Sequence, residues 1–344
     1  MSKKNTFAKL KELPVIGMLF SNIGILSVLL IICAALAIAE PKSFLSSSNI
    51  LSVLRQISNN MYIALGMTLV IIISGIDLSV GSVVCLSGTI TVGLITLSGY
   101  PIWLAIIIGI LLGALCGFCS GTIIAQFKVP AFIVTMAMMN IARGAANVYS
   151  GARSMRITDK VFETIGMGKL FGIPLPIIYM VILIAIVSFV LNKTKFGTYI
   201  YAIGGNRESA RLSGVPIKKV EIAVYTIAGL LAAFAGVVLA SRMYSAQPSV
   251  GEGFELDAIA ACVLGGVSMS GGKGRISGTV LGAMVIGIIS NGLNLLDVNS
   301  FWQLIVKGII ILIAVLIDTQ KSSDSALKKL FGSVKRLSGK KNAA

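Results

Sequence analysis

The chain has 344 residues, of which 56% are hydrophobic and only 12% are charged, and its net charge at pH 7 is +16. A soluble domain carries about twice that charged fraction, so the composition excludes a water-soluble fold for most of the chain. The sequence has no histidine and no Gly-x4-Gly-Lys-Ser/Thr motif. It therefore lacks the residues for His-based catalysis, a His-ligated zinc site or a P-loop for ATP. We expect no catalytic residue, no metal and no cofactor.

Ten apolar stretches follow one another along the chain, and each predicts a membrane-spanning helix. A hydrocarbon core about 30 Å thick needs roughly 20 apolar residues per helix, and backbone polar groups in lipid must be paired within the segment. The alternating segments that build a β-barrel are not seen. The predicted spans are Ile23–Ala39, Ile50–Ile73, Val80–Leu97, Trp103–Ala125, Ala131–Tyr149, Pro176–Leu191, Ile222–Ser241, Leu256–Val267, Ile276–Leu293 and Phe301–Ile317.

Lysine and arginine fall mainly on one side of this map. If the N-terminus is cytoplasmic, about 20 of the 29 basic residues lie in cytoplasmic segments, as the positive-inside rule requires. The prediction is an all-α, polytopic membrane protein with a cytoplasmic segment 1–22, a membrane domain 23–318 and a basic cytoplasmic tail 319–344. The tail could touch anionic lipid headgroups, but a solvated end also explains it. Nucleic acid is not an expected partner, because the charge lies on no soluble domain.

The first polar interruption, Ser74–Ser82, lies between the second and third spans. Asp77 precedes an apolar helix there, where its carboxylate can accept unpaired backbone N–H groups and complement the helix dipole. The alternative is a broken-helix element that lines a polar path. The tripeptide Ser79–Gly81 recurs as Ser249–Gly251 five spans later, an offset that indicates an inverted repeat.

The longest polar interruption runs from residue 192 to residue 220. We predict a short charged helix within it. Asn206 can cap this helix, Glu208 lies in its first turn, and Gly214 ends it. So short a helix does not persist alone in water. We therefore expect the membrane domain or a soluble partner to hold it, with its Arg and Glu side chains facing that partner.

The last interruption, Gly251–Ile276, is acidic at its start and rich in glycine at its end. Glu255 and Asp257 are ordinary first-turn residues of a helix. The glycines suit a phosphate cradle by composition, but no strand is predicted before them, so a tight turn between two spans is expected. Earlier in the chain, Cys116 and Cys119 have the spacing of a redox pair without its βαβ context. The small residues around them predict close helix packing instead.

Several motifs, in this order along the chain, resemble those of the sugar-importing branch of ABC transporter permeases. The resemblance runs from near Phe44 to near Asp318 and implies a permease of the vitamin B12-importer type with about ten helices, which moves a monosaccharide such as ribose. The motifs are Gly66-Met-Thr-Leu-Val, Ser74-Gly-Ile-Asp-Leu-Ser-Val-Gly-Ser82, Gly204-Gly-Asn-x3-Ala-Arg-Leu-Ser-Gly214, Phe254-Glu-Leu-Asp-Ala-Ile-Ala-Ala261, Gly271-Gly-Lys-Gly-Arg-Ile276 and Asn291-Gly-Leu-Asn-Leu-Leu296.

The same resemblance implies partners in a bacterial plasma membrane. A second copy of the chain forms a homodimer around the path, an extracytoplasmic binding protein delivers the sugar, and membrane lipid surrounds the spans. An ABC ATPase, often with two nucleotide-binding domains fused in one polypeptide, docks in the cytoplasm. We call residues 192–220 the coupling segment, because the resemblance places it in a cleft of the ATPase. The residues implied for coupling are Gly204, Gly205, Asn206, Arg207, Ala210, Arg211, Ser213 and Gly214.

Polar side chains within or beside the spans are candidates for lining the path. A neutral, hydroxyl-rich solute crosses best where scattered hydrogen-bonding groups line its way. The alternative for most of them is an interhelical hydrogen bond, typically worth about 0.6 kcal/mol. Lys307, about two turns into the last span, is either functional or a snorkelling residue. The candidates are Asn60, Asp77, Asn140, Asn291, Asn294 and Gln303.

Two kinds of alternative function stay open at this point. An ion-coupled secondary transporter would place paired ionisable groups at the membrane midplane, whereas the acids here cluster at the ends of spans. An ABC permease for another small solute, such as a branched-chain amino acid or a sugar-like signalling molecule, would share the fold. A zwitterionic solute would favour exposed helix N-termini and paired charges in the path. Co-purification with an ATPase would separate the first alternative from the second.

Overall fold

The structure, a computed structural model, describes residues 23–316 and 318–320. The segment 1–22 and most of the predicted tail lie outside the described residues. Helices dominate the rest: α1 (Ile23–Ala39), α2 (Pro41–Phe44), α3 (Ser47–Ile72), α4 (Val80–Thr96), α5 (Ile102–Phe127), α6 (Ala131–Ser150), α7 (Lys160–Met167), α8 (Leu175–Lys193), α9 (Lys195–Gly205), α10 (Arg207–Leu212), α11 (Ile217–Met243), α12 (Phe254–Leu264), α13 (Ile276–Leu295) and α14 (Ser300–Gln320).

A helix coincides with each of the ten apolar stretches. Among the described residues, six helices are long and apolar enough to cross a membrane: α5, α6, α8, α11, α13 and α14. The apolar helices α1 and α4 are shorter, and α12 has 11 residues, ending at Leu264. The chain is therefore a mostly helical protein with several candidate spans, while the count of ten crossings stays a prediction.

Helix α11 lies at the centre of the core and packs against α3, α4 and α5. Small residues let α5 and α11 meet backbone to backbone. A Cβ on Gly117 would overlap the carbonyl oxygen of Tyr225, and a Cβ on Gly229 would overlap that of Gly113. Cys116 lies beside these contacts as a buried free thiol. The packing interpretation of this stretch therefore agrees with the structure.

Two non-helical segments precede α4 and α12, and the first of them is largely buried. Residues 75–79 lead from the end of α3 into α4, and residues 247–253 lead into α12. A Cβ on Gly81 would overlap the carbonyl oxygen of Gly251, and a Cβ on Gly251 would overlap that of Gly81. Arg143 of α6 holds the second segment by donating to the carbonyl oxygens of Pro248 and Val250, each at 2.7 Å. The reciprocal glycine contact is what two inverted copies of one motif would make.

The two ends of the molecule differ in structure. At one end, β1 (Met155–Arg156) pairs antiparallel with β4 (Ser245–Ala246), and β2 (Lys169–Leu170) pairs with β3 (Ile173–Pro174). Helix α7 packs there against the end of α11, where the hydroxyl of Ser241 donates to the carbonyl of Phe162 at 2.6 Å. The other end carries α9, α10, the end of α3 and the turn 265–275. We call these the β1–β4 end and the α10 end.

Candidate functional site

Helix α10 is the charged helix predicted within the coupling segment, and both of its ends have the expected chemistry. The Oδ1 atom of Asn206 accepts a hydrogen bond from the N–H of Ser209 at 2.8 Å, as an N-cap residue does. Gly214 follows the helix with a φ of 79°, which glycine adopts without the strain that a Cβ would add. Ala210 faces inward and is buried. The helix is thus held against the spans with its other faces outward.

The charged side chains of α10 are paired within the chain. Arg211 donates to Glu208 through Nε at 3.0 Å, and the two side chains are 62% and 67% exposed. This contact holds the pKa of Glu208 below its usual range. Arg207, which we expected to face a partner, instead donates through Nη2 to Glu221 at 2.9 Å. The Glu221 carboxylate is buried at the start of α11, where a charge without a partner would be costly.

A three-way backbone contact connects the coupling segment to the spans. The N–H of Gly272 donates to the carbonyl oxygen of Ile72 at 2.8 Å. A Cβ on Gly204 would overlap that same carbonyl oxygen and would crowd the nitrogen of Gly272. We call this contact of Ile72, Gly204 and Gly272 the glycine joint. The adjacent Gly205 faces open space, with nothing near its Cβ position.

Side chains around the glycine joint reinforce it. The hydroxyl of Ser74 donates to the carbonyl oxygen of Ser270 at 3.0 Å. The hydroxyl of Tyr201 donates to the carbonyl oxygen of Gly274 at 2.8 Å. The glycine-rich turn 265–275 therefore contacts both α9 and the end of α3. It is a turn between α12 and α13, as the sequence predicts, and its glycines allow the close approach.

Asp77 is buried, and its bonds are local. Its Oδ1 atom accepts from the backbone N–H of Ser79 at 2.9 Å and from the Ser79 hydroxyl at 2.6 Å. Ser79 immediately precedes α4. The carboxylate thus shapes the turn that leads into the helix. It does not cap the helix, because the bonded N–H belongs to Ser79, which precedes the first turn.

Three of the path candidates form interhelical hydrogen bonds, and a fourth bonds to its own helix. Asn291 and Asn49 exchange amide hydrogen bonds at 2.9 and 3.2 Å. Gln303 donates to Asn294 at 2.8 Å. Asn140 is exposed on α6 and donates to a carbonyl oxygen of its own helix. These residues hold elements together, as the alternative interpretation of each predicts.

Asn60, the sixth candidate, lines a cavity of about 490 Å³. Lys307 lines the same cavity and donates to Oδ2 of Asp257 at 2.8 Å. Asp257 was interpreted from the sequence as an ordinary first-turn acid, so its pairing with a residue 50 positions away was missed. Asn59, beside Asn60, was also missed as a candidate. Two adjacent asparagines in an apolar span could have indicated it, because polar side chains are rare there.

The described residues contain no group of three or more His, Cys, Asp or Glu side chains placed to hold a metal ion. They do contain a set of apolar helices, a charged helix outside them and a polar cavity among them. This combination is typical of a polytopic membrane protein with a polar interior.

Comparison with known proteins identifies the family. Residues 49–315 match the family described as the branched-chain amino acid transport system permease component. The chain belongs to this family of permeases. It is accordingly a multi-pass membrane protein and the non-catalytic, permease component of an ABC transporter.

Curated relatives are similar over most of their length. The ribose import permease protein of Bacillus subtilis is 48% identical over 297 residues, covering 86% of this chain and 92% of the relative. The corresponding Haemophilus influenzae protein is 46% identical over 294 residues, covering 84% and 90%. The L-arabinose transport system permease protein of Escherichia coli is 41% identical over 305 residues, covering 89% and 92%. No solved structure matches the chain.

The glycine joint makes a matched pair of variants available. Gly204→Ala forces a methyl group into the Ile72 carbonyl and should cost about 1–3 kcal/mol of packing, whereas Gly205→Ala enters open space. We expect Gly204→Ala to lower solute uptake by roughly tenfold or more at equal membrane content, with Gly205→Ala near wild type. Uptake and ATP hydrolysis by the complete transporter measure this. Equal uptake by the two variants would contradict the role of the joint.

Proposed function

We propose that this chain is the permease subunit of an ABC importer that moves a monosaccharide, ribose or a related pentose, into the cytoplasm. The observation that carries the proposal is the 41% to 48% identity, over most of the chain, to permeases named for ribose and L-arabinose. ATP is hydrolysed by a partner subunit, since the sequence has no P-loop.

The proposed assembly places this chain in the bacterial plasma membrane with ten crossings over residues 23–318. Both termini, 1–22 and 319–344, are cytoplasmic, as the distribution of basic residues supports. Two copies pair in the manner of the vitamin B12 importer, with lipid around them. Helices α8 and α14 leave most of their apolar surface unburied within one copy, which is surface for lipid or a second copy.

In the proposed assembly, two partners contact opposite ends. A sugar-binding protein delivers the solute at the β1–β4 end. An ATPase, with two nucleotide-binding domains, receives α10 in a cleft at the other end. The exposed Glu208–Arg211 pair and the open face at Gly205 are the surface offered to that cleft. Ala210 and Gly204 hold the segment from behind, while Asn206, Ser213 and Gly214 shape its ends.

In this assembly, the glycine joint would transmit movement of α10 to the membrane-spanning helices. Movement of α10 is carried through α9 to Gly204, and from there to the end of α3 and the turn 265–275. The end of α3 leads through residues 75–79 into α4, and the turn 265–275 joins α12 to α13. These routes meet again at the Gly81–Gly251 contact. Closure of the ATPase on ATP would thus rock the elements around the interior, so that the path opens alternately to each side.

One observation keeps a second solute class in view. The sequence showed no paired charges within the spans, but the structure pairs Asp257 with Lys307. Paired charges suit a zwitterion, and the family's description names branched-chain amino acids. An ion-coupled transporter could also use such a pair. These are the competing outcomes of the experiment below.

The test is uptake by proteoliposomes that contain this permease, its ATPase and its binding protein. We expect ATP-dependent accumulation of D-ribose, competition by L-arabinose, and no uptake when the ATPase carries a substitution in its catalytic glutamate. Accumulation of L-leucine instead of D-ribose would establish the amino-acid alternative. Uptake driven by an ion gradient without the ATPase would establish a secondary transporter.

The exposed pair on α10 allows a charge-swap prediction. Arg211→Glu breaks the pair, which is worth only about 0.2–0.5 kcal/mol to the helix, but it also reverses a charge on the surface offered to the ATPase. The double variant Glu208→Arg with Arg211→Glu restores the pair in the opposite orientation. We expect both variants to insert normally and to lose ATP-coupled uptake, because a partner surface recognises the positions of the charges. Recovery of wild-type uptake by the double variant would show that the pair only stabilises the helix.

A further inference from the structure

A polar cavity lies among α3, α11, α12 and α14. Its volume of about 490 Å³ is within the range of small-molecule sites. Eight of its eleven lining residues are polar or charged, although the helices around it are predominantly apolar. Ionisable groups within spans are costly and indicate function. The cavity is therefore more polar than the fold alone requires.

Asn59 is the most informative group in this cavity. It is 5% exposed, and neither the nitrogen nor the oxygen of its amide has a hydrogen-bond partner among the described residues. The Nε atom of Arg55, one turn earlier on α3, also lacks one. A buried polar atom left unpaired costs about 1–3 kcal/mol. Water or a polar solute that enters the cavity would satisfy these atoms.

The charges around the cavity are of both signs. Arg242 donates to the backbone carbonyl of Arg55 at 3.2 Å, and neither guanidinium is among the ion pairs of the described residues. Asp257 is the only acid in the lining. Its side chain is 8% exposed, and one of its two oxygens, Oδ2, accepts from Lys307. The lining thus presents guanidinium and amide donors together with carboxylate and amide acceptors.

This mixture of donors and acceptors selects a ligand class. Each hydroxyl of a sugar both donates and accepts, so neighbouring hydroxyls can satisfy Arg55, Asn59 and Asp257 together. A small anion would satisfy the guanidiniums, but it would be repelled by Asp257 and would leave the Asn59 oxygen unpaired. A branched-chain amino acid could pair its ammonium with Asp257 and its carboxylate with a guanidinium, but its apolar side chain would leave the Asn59 amide unmet. A neutral polyhydroxylated molecule fits the whole lining best.

We propose that this cavity is a binding site for the monosaccharide inside a single copy of the permease, with Asn59 as its central contact. This inference rests on the proposed function and gives each copy its own solute-binding site beside the shared path. Ser52, at the start of α3, and Arg242, in the last turn of α11, place it towards the β1–β4 end. Asp257 and Phe254 of α12 also line it, so a bound sugar touches the helix that begins beside the Gly81–Gly251 contact.

The experiment uses the complete transporter, with its ATPase and binding protein, in a permease whose five native cysteines are replaced. Ser52→Cys places a reporter in the lining of the cavity. We expect D-ribose at saturating concentration to slow its modification by a membrane-impermeant methanethiosulfonate at least fivefold, and L-leucine to have no effect. Ser48→Cys is the matched control, one turn earlier on α3, exposed and outside the lining. Its modification should be unaffected by D-ribose.

Asn59→Leu, added to the Ser52→Cys permease, should abolish the protection and raise KM for D-ribose uptake at least tenfold. Asn147→Leu should leave both unchanged, because that amide bonds to a carbonyl of its own helix. Import of D-ribose without protection of Ser52→Cys overturns the inference, and so does protection that survives in Asn59→Leu. Absence of D-ribose import in the parent transporter overturns the proposed function itself. The Ser52→Cys measurement leaves Asn59 native, so it decides the question even if Asn59→Leu fails to insert.

Discussion

The carbonyl oxygen of Ile72 is the point on which the α10 end of this permease depends. It ends α3, accepts the N–H of Gly272 at 2.8 Å, and lies where a Cβ on Gly204 would sit. In a membrane protein, a backbone group released at the end of a helix must find a partner within the protein. Here that partner comes from a different part of the chain, and glycine is required because no side chain fits between the backbones. The coupling segment, α3 and the turn before α13 are consequently fixed to one another.

The same physical solution recurs inside the protein at Gly81 and Gly251. Gly81, in the first turn of α4, and Gly251, in the segment before α12, touch backbone to backbone. Asp77 shapes the first segment through Ser79, whereas Arg143 holds the second through backbone carbonyls. The irregular backbone before α4 is thus largely buried in protein, as the absence of water in lipid demands, whereas the segment before α12 is partly exposed. The proposed sugar site adjoins α12, so the elements that would move are the elements that the solute would touch.

The sequence predicted the features that depend on local chemistry. Hydropathy located the helices, and the Asn206 cap and Gly214 bounded α10. It missed what depends on distant pairing. The partner of Arg207 is Glu221, that of Asn291 is Asn49, and that of Lys307 is Asp257, and no local period marks such pairs. It also missed α7, because the Asp159 cap that starts this short helix lies in a loop with few apolar residues.

In the proposed function, α10 and the turn 265–275 move as one body when ATP drives the transporter. The most direct measurement is the distance between spin labels at Ser213 and Ser270, in complexes diluted with unlabelled permease. A second pair, at Ser213 and Ser154, spans the two ends of the molecule. Between the ADP-bound state and the state trapped with ATP and vanadate, the Ser213–Ser270 distance should stay constant while the Ser213–Ser154 distance changes. A shift in the Ser213–Ser270 distance would show that α10 moves independently of the turn, and would contradict the account.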